Sequence, residues 1–399
     1  MLNADKPVFI PIAMPSDAQV LAAAPPQPAI MLSAVYGSNP RLAELIAVAR
    51  RRTSNLLVDP KTPHFQFEGY MSMPDYRALP YSPGRHTLGT LWEPARFARP
   101  EARRELIDAV FAAQRRLGAD LLLAPYFYVR HAAHPWLQVA RECAAEALEA
   151  AAPEPVGVPV CVDIDALLDP AQRDRIGAAY TELPAAMYWL TVVNFDERRA
   201  DPRDAAALLA FLELLRASGR PVILAHAGRS GLLAIAAGAA GYGAGTHGLE
   251  HHPRQHFREM IGTRPANRYY LHECFMHLPV RTAEAAIGTE EPIGHPPCEC
   301  AACAGTDAIS LMVSRRLALH SLLRRLREGV ALAAVPPAAR RAWLVERFTE
   351  ALSRSAALAA ALENGGGAQI EPGDYHYLEV LREAAGGPAA TRPIDDELD

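Results

Sequence analysis

The stretch Ala186-Met187-Tyr188-Trp189-Leu190-Thr191-Val192-Val193-Asn194-Phe195, followed by residues 204–217 and then by Pro221-Val222-Ile223-Leu224-Ala225, decides the fold. Its two ends are short apolar runs bounded by turn residues, the form of strands buried on both faces. The piece between them places its apolar residues at helical spacing. Strand, helix, strand is the repeating unit of a parallel sheet. The same alternation continues outward. Upstream, strands are expected at 28–36, 55–58, 119–129 and 156–164, separated by helices at 40–52, 101–117, 135–151 and 172–183. Downstream come a short helix at 231–238, a Gly-rich strand at 240–244 and a last strand at 267–275. Eight such repeats over about 250 residues predict an α/β fold of the closed (β/α)8 TIM-barrel type. An open doubly wound sheet would carry a Gly-rich phosphate turn after an early strand, and none follows these early strands.

Beyond residue 279 the pattern changes to a Gly/Pro/Glu loop, a cysteine cluster and helices. The expected organisation is an N-terminal extension (1–27), the barrel (28–278), a zinc-binding segment with its helix (279–330), and C-terminal helices with an acidic tail (331–399). The 399-residue length suits a barrel with an appendage, and half of the residues are hydrophobic, enough for a large core. A net charge of −5 and a pI near 6.3 exclude a whole-surface electrostatic grip on nucleic acid, though not a local basic face. Without a run of about 18 apolar residues, no membrane partner is expected. The start of the chain does not read as a signal peptide, so the expected compartment is the cytoplasm. Cys143, Cys161 and Cys274 stand singly in apolar elements and read as buried free thiols.

The other three cysteines lie together in Pro297-Cys298-Glu299-Cys300-Ala301-Ala302-Cys303. Thiolates this close repel one another unless a cation neutralises them. Zinc takes four ligands tetrahedrally from Cys sulfur and His nitrogen, and C-x-C-x-x-C supplies three. His320, on an amphipathic helix expected at 308–326, is the natural fourth, and His295 is its rival. Four protein ligands close the coordination shell, so the Zn2+ is expected to be structural.

Chemistry in this fold sits at the C-terminal ends of the strands. Those ends carry Asp59, Tyr126, Asp163, Asp165, Asn194, His226, Gly243, Gly245 and Glu273, and their carboxylates and imidazoles could form an acid/base site. The long segment 61–100, rich in Pro, Tyr and Gly, is a functional-loop candidate. Residues 241–248 are glycine-dense, which permits close approach of a planar or phosphate-bearing ligand. His247, Glu250, His251 and His252 match no standard ligand spacing and read as a solvated loop.

A barrel carrying C-x-C-x-x-C and a downstream histidine after its last strand resembles the tRNA-guanine transglycosylase family. Cys298, Cys300 and Cys303 match that family's zinc motif position for position, and His320 matches loosely. Elsewhere the likeness is one of order. Asp59 followed by Phe65-Gln66 stands where the family has D-S-G-G-F-Q, and Asp163 or Asp165 stands where a base-reading Asp falls. Asn194 is near a base-reading Gln, Gly243 to Gly245 are near a base-contacting Gly, and His272-Glu273-Cys274-Phe275 stands where the family has F-D-C-V. The resemblance implies exchange of guanine or a 7-deazaguanine at a ribonucleoside by a carboxylate nucleophile. Asp59 and Glu273 are the expected pair, Asp163 or Asp165 the competing nucleophile, and Gln66, Tyr126, Asn194, His226, Gly243 and Gly245 the substrate contacts. If the substrate is tRNA, the Arg-rich helix 315–327 would meet its phosphates. The alternative is a barrel that has lost its nucleophile and serves as a zinc-stapled binding module for nucleic acid or protein. The assembly state is open, a homodimer included.

Overall fold

The computed structural model describes residues 5–70, 73–83, 91–246, 250–257, 268–288, 298–305, 315–364 and 369–386. Nine parallel strands make the main sheet: β1 Val8–Ile12, β2 Ile30–Ser33, β3 Leu56–Asp59, β4 Leu122–Leu123, β5 Tyr128–Val129, β6 Val156–Asp163, β7 Met187–Val193, β8 Val222–Ala225 and β9 Gly241–Gly245. Their order is β3-β2-β1-β9-β8-β7-β6, with β4 and β5 both pairing with β6. β4 and β5 are two halves of one barrel position, so the positions number eight. A parallel bridge between Leu57 and Leu121 closes the seam between β3 and β4. The protein is therefore a nearly closed (β/α)8 barrel.

Pro125 explains the split strand. It has no N–H for the ladder, and side chains take over the pairing there. The Thr62 hydroxyl bonds both the amide and the carbonyl of Tyr126, and the Gln66 amide does the same for Tyr128. The interruption also shifts the alternation, so that Leu123 on one side and Tyr126 and Tyr128 on the other all belong to interior clusters.

Alternation fills the barrel. Ile10, Ile12, Met31, Leu57, Leu123, Met187, Trp189, Ile223 and Ala225 form the inner core, while Phe9, Leu32, Val58, Val160, Leu190 and Leu224 pack outward against helices. Two residues beyond the inward Leu57 lies Asp59, and two beyond Cys161 lies Asp163, so both carboxylates enter the interior at its C-terminal end. Trp189 explains much of the glycine on β9. A Cβ on Gly243 would come within 2.9 Å of the indole, and one on Gly241 within 2.3 Å of the Val8 carbonyl.

The structure moves the barrel's limits relative to the sequence reading. The first strand, Val8–Ile12, lies in the stretch expected to be an extension; Pro11 within it argues against a central strand. It nevertheless pairs on both sides, with β2 and β9. The expected last strand, 267–275, is not in the barrel. Of its described residues, Arg268–Leu271 form β10, antiparallel to β11 (Met276–Pro279) in a separate hairpin, and 272–275 form the turn. Among the expected C-terminal helices is one long helix, Arg340–Asn364.

The helix Arg316–Ala334, which carries His320, packs on β1 and on the helix Ala18–Ala23. It is the eighth helix of the barrel. The hairpin and the cysteine loop sit between strand eight and this helix, with a small core of their own from Tyr269, Leu271, Met276, Leu278, Ala302, Leu317 and Leu358.

Candidate active site at the barrel mouth and the zinc centre

In the zinc centre, the ligand atoms of Cys298, Cys300, Cys303 and His320 all lie within 4.8 Å of one another. His320 Nδ1 is 3.4, 3.4 and 3.1 Å from the three sulfurs in turn, and the Cys300 and Cys303 sulfurs are 3.5 Å apart. A tetrahedron with zinc–sulfur and zinc–nitrogen bonds of ordinary length has edges of about 3.5–3.8 Å, so the donors fit zinc. The surroundings agree. His320 Nε2 donates to the Tyr270 carbonyl at 2.8 Å, which leaves Nδ1 with its lone pair facing the sulfurs, the usual arrangement of a ligating imidazole. The Tyr269 ring stacks on His320 at 4.5 Å. Arg324, one helical turn on, donates to Cys298 Sγ from Nε and Nη2 at 3.1 and 2.7 Å, offsetting the net negative charge of a dication with three thiolates. The centre is a closed, structural Cys3His zinc site. The rival ligand His295 lies outside the described residues.

At the mouth, Asp59 ends β3 and is 4 % exposed. Its Oδ2 meets Lys61 Nζ at 2.8 Å, and its Oδ1 accepts from the Tyr126 hydroxyl at 2.8 Å and from the Lys61 amide at 2.9 Å. Burial alone would raise its carboxyl, but the Lys61 ammonium and these hydrogen bonds outweigh burial and hold it below the ordinary range. Lys61 reaches back because its own backbone is left-handed, with φ at 54°.

Asp163, at the end of β6, is fully buried. It receives the Tyr128 hydroxyl, Asn194 Nδ2 at 3.0 Å and Arg254 Nη2 at 2.6 Å. Arg254 Nε donates to the Tyr128 oxygen at 2.8 Å, and the Arg254 amide to Asn194 Oδ1 at 2.8 Å. The two centres adjoin. Tyr126 and Tyr128, which bind one carboxylate each, are two residues apart on one strand, and both pack with Cys161.

A third group surrounds Lys61. The His252 ring lies 5.1 Å from His226, 5.5 Å from His256 and 6.3 Å from His64. Burial pushes His64 down to about 3, with Lys61 adding to it; burial pushes His256 to about 4, and His252 well below its usual value. These imidazoles are neutral at neutral pH. His226 (φ 54°) and Asn194 (φ 64°) share the left-handed backbone of Lys61, so three strand ends in one mouth hold conformations that non-glycine residues rarely adopt.

Behind the mouth, a buried ionic network joins it to the zinc helix. Glu250 takes Arg325, His277 Nε2 at 3.2 Å and Arg229 Nη2 at 3.9 Å. Burial would raise the Glu250 carboxyl, but Arg325, His277 and Arg229 bring it well below its ordinary value. Arg325 also donates to the Gly245 carbonyl at 3.1 Å. Arg229 pairs with Glu328 at 3.0 Å and lies 4.1 Å over the Tyr270 ring. Glu197 accepts from the Arg229 and Ser230 amides at 2.9 and 2.8 Å. It fills the space beside Gly228, where a Cβ would lie 2.1 Å from its Oε1.

The structure thus gathers Asp59, Tyr126, Asp163, Asn194 and His226 in one mouth. It does not bring Glu273 there. Glu273 lies in the turn between β10 and β11, pairs with Arg354 and neighbours His272, because its strand belongs to the hairpin rather than the barrel. Asp165 lies in the first turn of the short helix Ile164–Leu168, and its side chain is 75 % exposed. Gln66 is spent on the Tyr128 backbone, Gly243 on Trp189 and the Gly245 carbonyl on Arg325. The segment read as a solvated loop is not one: His252 is buried and Glu250 is the hub of the network, although His251 is exposed and His247 lies outside the described residues. Lys61, His64, Arg229, Arg254 and Glu197 escaped sequence reading. The signal for Arg254 was its place among histidines in His251-His252-Pro253-Arg254-Gln255-His256. The Arg-rich helix is not one exposed face: Arg324 and Arg325 are buried, as is Arg340, while Arg315, Arg316 and Arg327 face outward. No described helix is long and apolar enough to cross a membrane.

No protein-family model matches the chain, and no curated protein matches it. Solved structures are matched at low similarity. Nitroalkane oxidase from Streptomyces ansochromogenes is 20 % identical, over 62 % of this chain and 67 % of that one, at a TM-score of 0.28. The carboxyl transferase domain of Rhizobium etli pyruvate carboxylase is 13 % identical, over 96 % of this chain and 56 % of that one, at 0.34. The complete pyruvate carboxylase of the same organism is 12 % identical, over 96 % and 36 %, at 0.35. Scores this low transfer neither fold detail nor chemistry, and the barrel stands on its own strand pairing.

Proposed function

We propose that the protein exchanges a guanine-type base at a ribonucleoside through a carboxylate nucleophile, within a zinc-stapled barrel of the transglycosylase kind. The observation that carries this reading is the pair Asp59 and Asp163, on different strands but linked through Tyr126 and Tyr128 to one interior. Asp59 is the nucleophile. Lys61 and Tyr126 keep it anionic, as attack on an anomeric carbon requires. Its oxygen bonds to C1′ as the C1′–N bond breaks, and the departing base leaves with that electron pair and gains a proton. The incoming base loses a proton, displaces the carboxylate and restores the original configuration. Asp163, with Tyr128 and Asn194, reads the base edge, and the nitrogen that leaves C1′ exchanges its proton with water. Glu273, outside the barrel, has no part in the step. The zinc holds the hairpin and the last barrel helix together and supplies no chemistry at the mouth.

The partner is a nucleoside in RNA, with tRNA as the leading substrate. Arg315, Arg316 and Arg327 are the exposed arginines of the Arg-rich helix and would meet its phosphates. The free cysteines and thiolate zinc site suit a reducing compartment, the cytoplasm. The binding-module reading is favoured by one observation: the last barrel strand, Gly241–Gly245, brings no carboxylate to the mouth. Trapping separates the two. Zinc-loaded protein quenched by denaturation during exchange should carry tRNA covalently, and Asp59→Asn, folded and zinc-loaded, should not. Guanine and tRNA binding without any adduct or exchange would leave the binding module.

A further inference from the structure

Residues 250–257 form an arm laid across the mouth. His252 bridges Val193 in parallel and accepts the Asn194 amide at 3.0 Å through its carbonyl. Tyr70 donates to the His256 carbonyl from the opposite side. Between these ties the Arg254 side chain turns down to Asp163 and Tyr128. Asp163 is fully buried, whereas Arg254 keeps 28 % of its side chain exposed, so the guanidinium lies between that carboxylate and solvent. A guanidinium is planar and presents parallel N–H donors to a carboxylate. The N1–H and 2-amino group of a guanine-type base present the same pattern. Here Nη2 meets Asp163 Oδ2 while Nε meets the Tyr128 oxygen, so a base edge seated on Asp163 and Tyr128 would need the positions that the guanidinium fills.

We infer that Arg254 is an internal ligand, seated where the donor edge of the base binds, and that the arm must release it before the base can enter. The inference rests on the proposed role of Asp163 as the group that reads the base. The arm is fixed at one end. Glu250 is held by Arg325, His277 and Arg229, and Arg325 sits on the same helix as the zinc ligand His320 and the thiolate partner Arg324. The zinc subdomain therefore holds the root of the arm while Arg254, four residues along, makes the contact that breaks. No atom of the arm takes part in bond making. Its effect is on occupancy: a site competent only when the arm is lifted shows an affinity reduced by the lifted fraction.

The test is guanine binding to the full-length, zinc-loaded protein, followed by calorimetry, with adenine for comparison. Arg254→Ala should bind guanine about tenfold more tightly or better than wild type, the gain expected when a site closed nine-tenths of the time is opened. Adenine, which lacks the paired donors, should gain nothing. Asp163→Asn added to Arg254→Ala should abolish the gain. Because Arg254→Ala strips a buried carboxylate of its partner and could impair folding, wild type supplies a second readout. Guanine should speed hydrogen exchange at the Asn194 and Arg254 amides, whose hydrogen bonds to the His252 carbonyl and to Asn194 Oδ1 tie the closed arm to the end of β7. Equal or weaker guanine binding by Arg254→Ala, slower exchange at those amides, or no guanine binding by either protein would overturn the inference. Tighter binding by Arg254→Ala without any base exchange would sink the transglycosylase reading and leave the internal ligand standing. Base exchange with no gain in Arg254→Ala would do the reverse.

Discussion

Asp59 and Lys61 show how a single turn sets the state of a reactive group. Pro60 and the left-handed Lys61 fold the ammonium back on the carboxylate, both nearly out of water. Such a pair is weak as a source of net stability but costly to break, because one buried charge is left alone. Lys61→Met should therefore destabilise the protein by about 3–5 kcal/mol, and the double variant with Asp59→Asn should recover much of that. Urea denaturation of the four proteins measures it, and simple additivity would contradict the pairing. The neighbouring histidines set a pH dependence. His64 and His256 are held neutral, at about 3 and about 4 against 6.5 when unfolded, so the unfolded chain binds more protons below pH 6.5. Stability is then complete above pH 6.5 and falls with acid towards those values, by about 1.4 kcal/mol per pH unit for each imidazole. Asp59, also depressed, acts in the same direction below its ordinary range. His64→Asn should flatten the slope between pH 6 and 4.5 by about one proton, and an unchanged slope would show that His64 titrates normally. Sequence position alone made Asp59 and Asp163 legible, since each ends an apolar run and alternation points it inward. Lys61 and Arg254 were not legible. Their importance depends on a positive φ and on a segment crossing the mouth, neither of which leaves a periodic mark.

The helix Arg316–Ala334 is the element with two duties. One side closes the barrel against Phe9 and its neighbours, with Gly329 beside Phe9. The other carries His320 and Arg324 into the zinc centre. Metal removal should therefore loosen the barrel's closing helix as well as the hairpin. Cys300→Ala is expected to lose its zinc and several kcal/mol of stability, read as a lowered Tm beside a metal analysis that finds one zinc in wild type. Arg324→Met should keep the fold and bind zinc about 10–100-fold less tightly in a chelator competition, the usual effect of removing a group that supports a ligand. Equal affinity would mean that the guanidinium contact with Cys298 has no bearing on the metal. At this scale the sequence reading reached eight strands by two errors that offset each other. Val8–Ile12 carries Pro11, which argues against a central strand, yet its neighbours on both sides supply the ladder. The segment ending in Cys274-Phe275 lies outside the barrel, and an apolar, aromatic run looks the same in a parallel strand and in an antiparallel hairpin. The cysteine triad needed no such judgement, because ligand spacing is fixed by the metal rather than by the fold.

Across the whole molecule, the barrel and the zinc appendage are one mechanical unit. Arg229, Glu250, His277, Arg325 and Glu328 run from the last strands to the hairpin and the zinc helix, with Arg229, His277 and Arg325 buried and the two carboxylates mostly so. This wiring explains why the Arg-rich helix is a poor guide to an RNA surface: two of its arginines are consumed inside. Architecture and zinc were legible because they rest on repetition and spacing. The mouth was legible only in part, because its charges come from loops that meet in space and not in sequence. The claim at the centre of this account is that Asp59 and Asp163, rather than Glu273, carry base exchange. The most direct measurement is the rate at which zinc-loaded wild type, Asp59→Asn, Asp163→Asn and Glu273→Gln incorporate labelled guanine into tRNA, each checked for fold and metal. Wild type should incorporate it, the Asp59 and Asp163 variants should fall by about a thousandfold or more, and Glu273→Gln should stay within about twofold of wild type. Loss of incorporation in Glu273→Gln, or a wild-type rate in Asp59→Asn, would contradict it.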